Sequence, residues 1–170
     1  IIKQLYIYNM NYKTIPEMFF SVVNSNPTKK IYNYKENNHW LSLNGKQIKS
    51  IVCSIASGLY SFNLKSSDKV SILSSTSHKW ALCDYGIICS GMTTVTVYPT
   101  LIENQVNFII NDSESRLIFV EDKEQFEKIN LIYDKCPSLE YIVIMNDDSV
   151  AEKYDYVYTL KNFIDIGADN

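Results

Sequence analysis

The sequence predicts an α/β fold: a mostly parallel sheet with helices on both faces, preceded by a helix, a β-hairpin and a long helix. Three observations carry this. From residue 68 to 146, apolar runs of four to six residues alternate with helical stretches of about ten. Most of those stretches open on a residue able to cap a helix. Crossovers of that length join strands in parallel, and right-handed crossovers cover both sheet faces.

Taken in order, residues 13–25 read as an amphipathic helix. Thr14 and Glu17 have capping-box spacing, Pro16 sits in the first turn, and Met18, Phe19, Val22 and Val23 form the apolar face. Lys30-Ile-Tyr-Asn-Tyr34 and His39-Trp-Leu-Ser-Leu43 flank the polar Lys35-Glu-Asn-Asn38 and predict a hairpin. Asn44 with Gln47 caps a long helix whose stripe is Ile48, Ile51, Val52, Ile55, Ala56, Leu59 and Phe62. Lys69–Leu73 is a short buried strand, and Ser74-Ser-Thr-Ser77 caps a helix from Trp80 to Cys89. That helix is apolar nearly all round, so Trp80 is expected to be mostly buried. Gly91 occupies a left-handed helix-end position. Thr93–Val97 is a β-branched strand ended by Pro99. Thr100 and Glu103 have capping-box spacing before a helix carrying Val106, Ile109 and Ile110. Arg116–Val120 and Tyr141–Met145 are the third and fourth strands, separated by a helix over 122–134. Residues 146–155 read as an acidic loop and Thr159–Ile166 as a last short helix. The expected sheet is four-stranded, with residues 1–67 as an N-terminal addition and 68–170 as the α/β subdomain.

Composition narrows the function classes. The 170 residues are 46% hydrophobic and 21% charged, which excludes a disordered chain. Net charge is −3 and Arg116 is the single arginine, so a nucleic-acid footprint has no support. No stretch approaches eighteen uncharged apolar residues, and Ile1–Met10 already mixes Lys3, Gln4 and Asn9, unlike a secretory leader. Cys53, Cys83, Cys89 and Cys136 read as reduced thiols of a cytoplasmic protein.

The chemistry-bearing residues are few. Ligands of open α/β sheets sit beyond the carboxyl ends of the strands, here 74–77, 98–100, 121–122 and 146–148. Neither dinucleotide nor P-loop glycine spacing follows any strand. Ser74–Ser77 reads as a helix cap rather than a phosphate cradle, having no glycine and only Lys79 nearby. His78 and Cys83 point about 140° apart on a helix, so with Cys89 they form no metal set. His78 reads as a first-turn surface residue, His39 as a packing or surface residue, and Asn146-Asp-Asp148 as a solvated loop.

One ordered series adds more. Asp68-Lys-Val-Ser-Ile-Leu-Ser74, His78-Lys-Trp-Ala81, Asp84-Tyr-Gly86, Ser90-Gly91, Val95-Thr-Val-Tyr-Pro-Thr100, Asn111-Asp-Ser-Glu114 and Leu117-Ile-Phe-Val-Glu-Asp122 follow one another at the spacing of a known pattern. The chain resembles the N-terminal part of the adenylate-forming, AMP-binding superfamily, in its long-chain acyl-CoA synthetase branch, over residues 13–165. Ser67 stands where the pattern usually has glycine, and Lys79 where it has glutamate.

The resemblance implies a full-length fatty acid–CoA ligase that forms an acyl-adenylate from ATP and a fatty acid, then transfers the acyl group to coenzyme A with magnesium (Mg2+) as cofactor. It implies a cytoplasmic enzyme, with room for peripheral membrane association and a homodimer. The family's phosphate loop, adenine segment, ribose-binding aspartate and C-terminal lysine have no counterpart in these residues. The chain therefore reads as a portion cut just before the nucleotide loop, inactive alone, with no catalytic, cofactor-binding or metal residue to assign. An adenylating enzyme for another carboxylic acid and a non-catalytic binding or assembly module are the alternatives. In a truncated synthetase, apolar groups near one sheet edge are expected to lie uncovered.

Overall fold

The computed structural model describes residues 12–147, 149 and 153–169. Helix α1 (Ile15–Ser25) starts as its sequence dictates: Thr14 Oγ1 accepts the Glu17 N–H at 3.2 Å. The Glu17 carboxylate accepts the Lys13 N–H at 2.7 Å, one residue earlier than in a standard capping box. Strands β1 (Lys30–Glu36) and β2 (His39–Asn44) pair antiparallel across Asn37–Asn38. Both turn residues have positive φ, 47° and 63°, which a two-residue hairpin of the primed type requires and asparagine tolerates. Helix α2 (Gly45–Ser61) opens on the predicted reciprocal cap, Asn44 and Gln47 exchanging two hydrogen bonds of 2.9 Å. Ile48, Val52, Ile55 and Leu59 of its predicted stripe are buried.

The sheet comprises β3 (Lys69–Leu73), β4 (Thr93–Val97), β5 (Leu117–Val120), β6 (Tyr141–Ile144) and β7 (Val157–Thr159). Their order is β4-β3-β5-β6-β7 and every pairing is parallel. Between them run α3 (His78–Cys89), α4 (Glu103–Ser113) and α5 (Lys123–Asn130), and α6 (Leu160–Ala168) follows β7 directly. The sheet thus has five strands, not the four expected. β7 is only three residues long and abuts a helix, so it carries no readable period of its own.

Strand side chains alternate between two cores. Val70, Ile72, Leu117, Phe119 and Val143 face a cluster built with α1, α2, α3 and α6. Leu73, Ile118, Val120, Ile142 and Ile144 face a second cluster built with α4 and α5. Burial on both faces is why β5 and β6 read as continuous apolar runs rather than as alternating ones. β4 is an edge strand: Thr93 and Thr96 are exposed, and Tyr98 and Ile102 lie exposed just beyond it.

The helix ends follow local chemistry, with one exception. Gly91 has φ +73°, the Met92 N–H reaches Ile87 O and the Gly91 N–H reaches Ile88 O, a complete Schellman ending for α3. The Thr100–Glu103 capping box does not form. Pro99 and its neighbours make a turn, with the Leu101 N–H on Tyr98 O at 3.2 Å, and this delays the helix. Ile102 becomes the N-cap residue and its N–H is accepted by Gln105 Oε1 at 3.2 Å.

At the amino ends of the strands, Arg116 gathers three elements. It donates to Asp68 at 2.6 Å, to both oxygens of Glu140 at 2.8 and 2.9 Å, and to Asn63 O at 3.1 Å. Burial disfavours the Asp68 carboxylate, but the Lys65 N–H and the Arg116 guanidinium outweigh it and hold its pKa below the usual aspartate value.

Ser67, next to this cluster, has φ +75°. A side chain in the left-handed region costs about 1 kcal/mol relative to glycine. Ser67→Gly, restoring the residue the resemblance leads one to expect, should raise the melting temperature by roughly 2–4 °C. A thermal unfolding scan checks this; an unchanged or lower midpoint would mean that the serine is not strained.

Candidate functional site

Four loops leave the carboxyl ends of the strands, where the α/β rule places ligands. The direction of the crossovers reverses between β3 and β5, which makes that gap the first place to look. It is closed. Glu121 Oε2 accepts the Ser75 N–H at 2.7 Å, and the Glu121 N–H donates to Leu73 O at 3.0 Å. A second clasp lies alongside: Lys79 Nζ donates at 2.8 Å to both Met145 O and Asn146 Oδ1, fastening the first turn of α3 to the end of β6. This explains how lysine serves at a position where the family pattern has glutamate.

Open space lies instead on the β3/β4 side. A cleft of about 470 Å³ is bounded by Ser74–Thr76, Trp80 and Thr96–Thr100. Trp80 is only half-buried. The expectation of a mostly buried anchor is corrected, because Trp80 packs on the core shared by α2, α3 and α6 and also lines the cleft at the carboxyl ends of β3 and β4. Tyr98, exposed, is the second aromatic lining residue. The polar lining groups are hydroxyls and backbone amides, and no carboxylate, imidazole or amine is among them. Such a lining holds a ligand by stacking and hydrogen bonds, and it offers no general acid or base.

The serine run behaves as a helix cap. Ser77 Oγ accepts the Trp80 N–H at 3.1 Å, and the Ser74 hydroxyl donates to Ser75 O at 2.8 Å. With the Ser75 N–H given to Glu121, these groups have partners within the protein. His78 departs from its expected surface place: it is half-buried and stacks on Tyr34 with ring centroids 3.7 Å apart and planes 19° apart. Burial lowers its pKa from 6.5, Lys79 lowers it further, and Glu36 partly opposes them. His39 is exposed, with Nδ1 2.8 Å from Asn37 O.

Cys83 is fully buried with Sγ 3.8 Å from Met145 Sδ, and burial pushes its thiol pKa far up. Burial and the neighbouring Cys53 bring Cys89 to about 11. All four cysteines are free. Among the described residues no three His, Cys, Asp or Glu side chains group as a metal set. Asp147 accepts the Ser149 N–H at 2.8 Å and its hydroxyl at 2.6 Å. Asp148 lies outside the described residues. Among the described residues no helix is long and apolar enough to cross a membrane.

The two clasps, Glu121–Ser75 and Lys79–Asn146, were not legible as such. Lys79 stood out only as a departure from the family pattern, and Glu121 only as a member of it.

Comparison with known proteins agrees with this architecture. The sequence profile described as AMP-binding enzyme matches residues 19–162. A long-chain-fatty-acid–CoA ligase of Xenopus laevis is 28% identical over 92% of the chain, which spans 21% of that relative. One from Mycobacterium bovis is 26% identical over 76% of the chain and 22% of its own length. The chain thus spans about a fifth of the length of these curated relatives. Among solved structures, an anthranilate CoA ligase in complex with anthranoyl-AMP superposes with a TM-score of 0.78 at 17% identity, covering 91% of this chain and 28% of that one. The adenylation domain of a carboxylate reductase from Mycobacterium chelonae gives 0.78 at 13% identity, covering 95% and 30%. At these identities the superpositions speak for the fold alone.

Proposed function

The chain belongs to the AMP-binding enzyme family, and from that premise we propose that it is the N-terminal α/β lobe of a long-chain fatty acid–CoA ligase. The observation that supports the acid class is the alignment of long-chain-fatty-acid–CoA ligases from a vertebrate and a bacterium along most of the chain. In the whole protein a fatty-acid carboxylate oxygen attacks the α-phosphorus of ATP and expels pyrophosphate. The coenzyme A thiolate then attacks the acyl carbonyl and expels AMP. Both steps are displacements, served chiefly by positioning and charge stabilisation.

Residues 68–170 act in this reading as a scaffold and wall, and residues 1–67 as an N-terminal addition, whose described helices and hairpin share the first core. The β3/β4 cleft contributes aromatic and hydroxyl surface; the Glu121 and Lys79 clasps hold the loop after β3, and Lys128 holds the loop after β4 through Pro99 O and Leu101 O. Magnesium, when bound, offsets the triphosphate charge; no described residue of this chain is assigned to it. Fatty acid, ATP and coenzyme A are the partners of the whole enzyme, and a cytoplasmic location goes with them.

ATP–pyrophosphate exchange tests the reading. The 170-residue chain alone should show none with palmitate. A protein extending this chain through the family's nucleotide loop and C-terminal lysine should show palmitate-dependent exchange. Exchange by the purified chain alone, or exchange by the extended protein with an aryl acid but not with palmitate, would overturn it.

A further inference from the structure

We propose that the outer face of the β1–β2 hairpin, together with the amino end of α2, is a docking surface for a bilayer containing anionic phospholipid. Charge is divided unevenly along the chain. Residues 1–67 hold eight lysines and two acidic residues, net +6, whereas residues 68–170 hold eight basic and seventeen acidic residues, net −9. Between Glu17 and Asp68 the one acidic residue is Glu36. An imbalance of this size between two parts of one chain points to an anionic partner for the basic part.

The fold gathers those lysines. Cross-strand partners in a hairpin project to the same face, and the next pair along projects to the other. Tyr32 and Leu43 are partners and pack on the first core, so theirs is the inner face. Glu36 and His39 fall on that inner face, while Lys35, opposite Trp40, and Lys30, opposite Asn44, project outward. Trp40 is 74% exposed. At the hairpin root the Lys46 N–H donates to Pro27 O and Lys49 Nζ to Asn24 Oδ1, both at 2.9 Å, which sets these lysines beside Lys29 and Lys30. All five lysines are exposed, and among the described residues none of them pairs with a carboxylate.

Two features call for a partner outside the chain. Lys46 and Lys49 stand near the amino end of α2, where helix polarity favours acidic residues, and its first turn has none. Their charges add to the positive helix end instead of offsetting it. The second feature is an indole left mostly in water. Its apolar body and N–H suit the boundary between headgroups and acyl chains, where lysine stems lie along the apolar side and their ammonium groups meet phosphate. A single nucleic-acid strand would instead need several rings in a basic groove, and Trp40 is the one ring on this ribbon face. The acidic remainder of the chain is repelled by the same headgroups, which turns the hairpin toward the bilayer.

Vesicle binding does not depend on the acid that the whole enzyme activates, so it and the exchange assay above can fail separately. Co-sedimentation of the 170-residue chain tests it, with phosphatidylcholine vesicles compared with vesicles carrying about one-third phosphatidylserine. At about 0.1 M salt the anionic vesicles should bind the chain at least roughly ten-fold better, and about 0.5 M salt should remove most of the difference. Lys30→Gln with Lys35→Gln should lower binding roughly ten- to thirty-fold, and Trp40→Ala roughly three- to ten-fold. Lys135→Gln with Lys153→Gln, exposed lysines of the acidic part, should change it less than about two-fold. Lipid with brominated acyl chains should quench the emission of the unmodified chain but not that of Trp40→Phe, in which Trp80 remains. No binding, equal binding to neutral vesicles, binding kept after loss of Lys30 and Lys35, quenching that persists in Trp40→Phe, or a preference for a single-stranded oligonucleotide over the vesicles would each overturn the docking surface.

Discussion

Gly167→Val is expected to destabilise the chain by more than about 3 kcal/mol, lowering the melting temperature by roughly 6–12 °C. α6 lies against α2 with no space between the backbones at this point. A Cβ on Gly167 would collide with Ser54 O and lie 2.6 Å from the Gly58 N, and both are backbone atoms of a helix that cannot yield separately. The valine therefore lifts α6, and with it Phe163, which fills the core beside Gly58. Thermal unfolding monitored by circular dichroism checks this. A midpoint within a degree of wild type would show that α6 is not seated as described.

The second large effect is expected of Phe119→Ala, at about 3–5 kcal/mol. Phe119 lies in β5, in the middle of the five strands, and is fully buried. Its ring meets Phe163 edge-on, with centroids 5.5 Å apart and planes at 86°. Phe163 in turn stacks on Phe62 at 5.2 Å, so the truncation opens a cavity between the sheet, α2 and α6. Phe119→Leu should recover about half of the loss, since leucine refills only part of the volume the ring leaves. Urea titration measures both variants. A loss below about 1 kcal/mol for Phe119→Ala would mean that the neighbouring rings close the gap.

These two sites differ in how far the sequence foretells them. Phe119 sits in Leu117-Ile-Phe-Val120, a run whose burial is plain from composition. Gly167 and Gly58 give no local sign. Each lies inside a helix where glycine is merely unfavourable, and the reason for it is a backbone more than a hundred residues away. Trp80 shows the converse. Its helix is apolar nearly all round, yet the residue lines a cleft that the loops after β3 and β4 leave open.

By itself the sequence determined the α/β class, the hairpin, four of the five strands, most helix starts and the left-handed Gly91. It also carried the family, through motifs kept in order. These are properties of residues within a few positions of one another, set by side-chain period, by capping hydrogen bonds and by φ preference. Tertiary structure alone decided the strand order, the short β7, the helix contact at Gly167, and which gap at the carboxyl ends stays open. The region was foreseeable from the α/β rule. The choice within it was not, because it turns on Glu121 reaching Ser75 across 46 residues and Lys79 reaching Asn146 across 67. Bonds of that reach leave no period in a sequence, since they exist only after the sheet has brought their ends together.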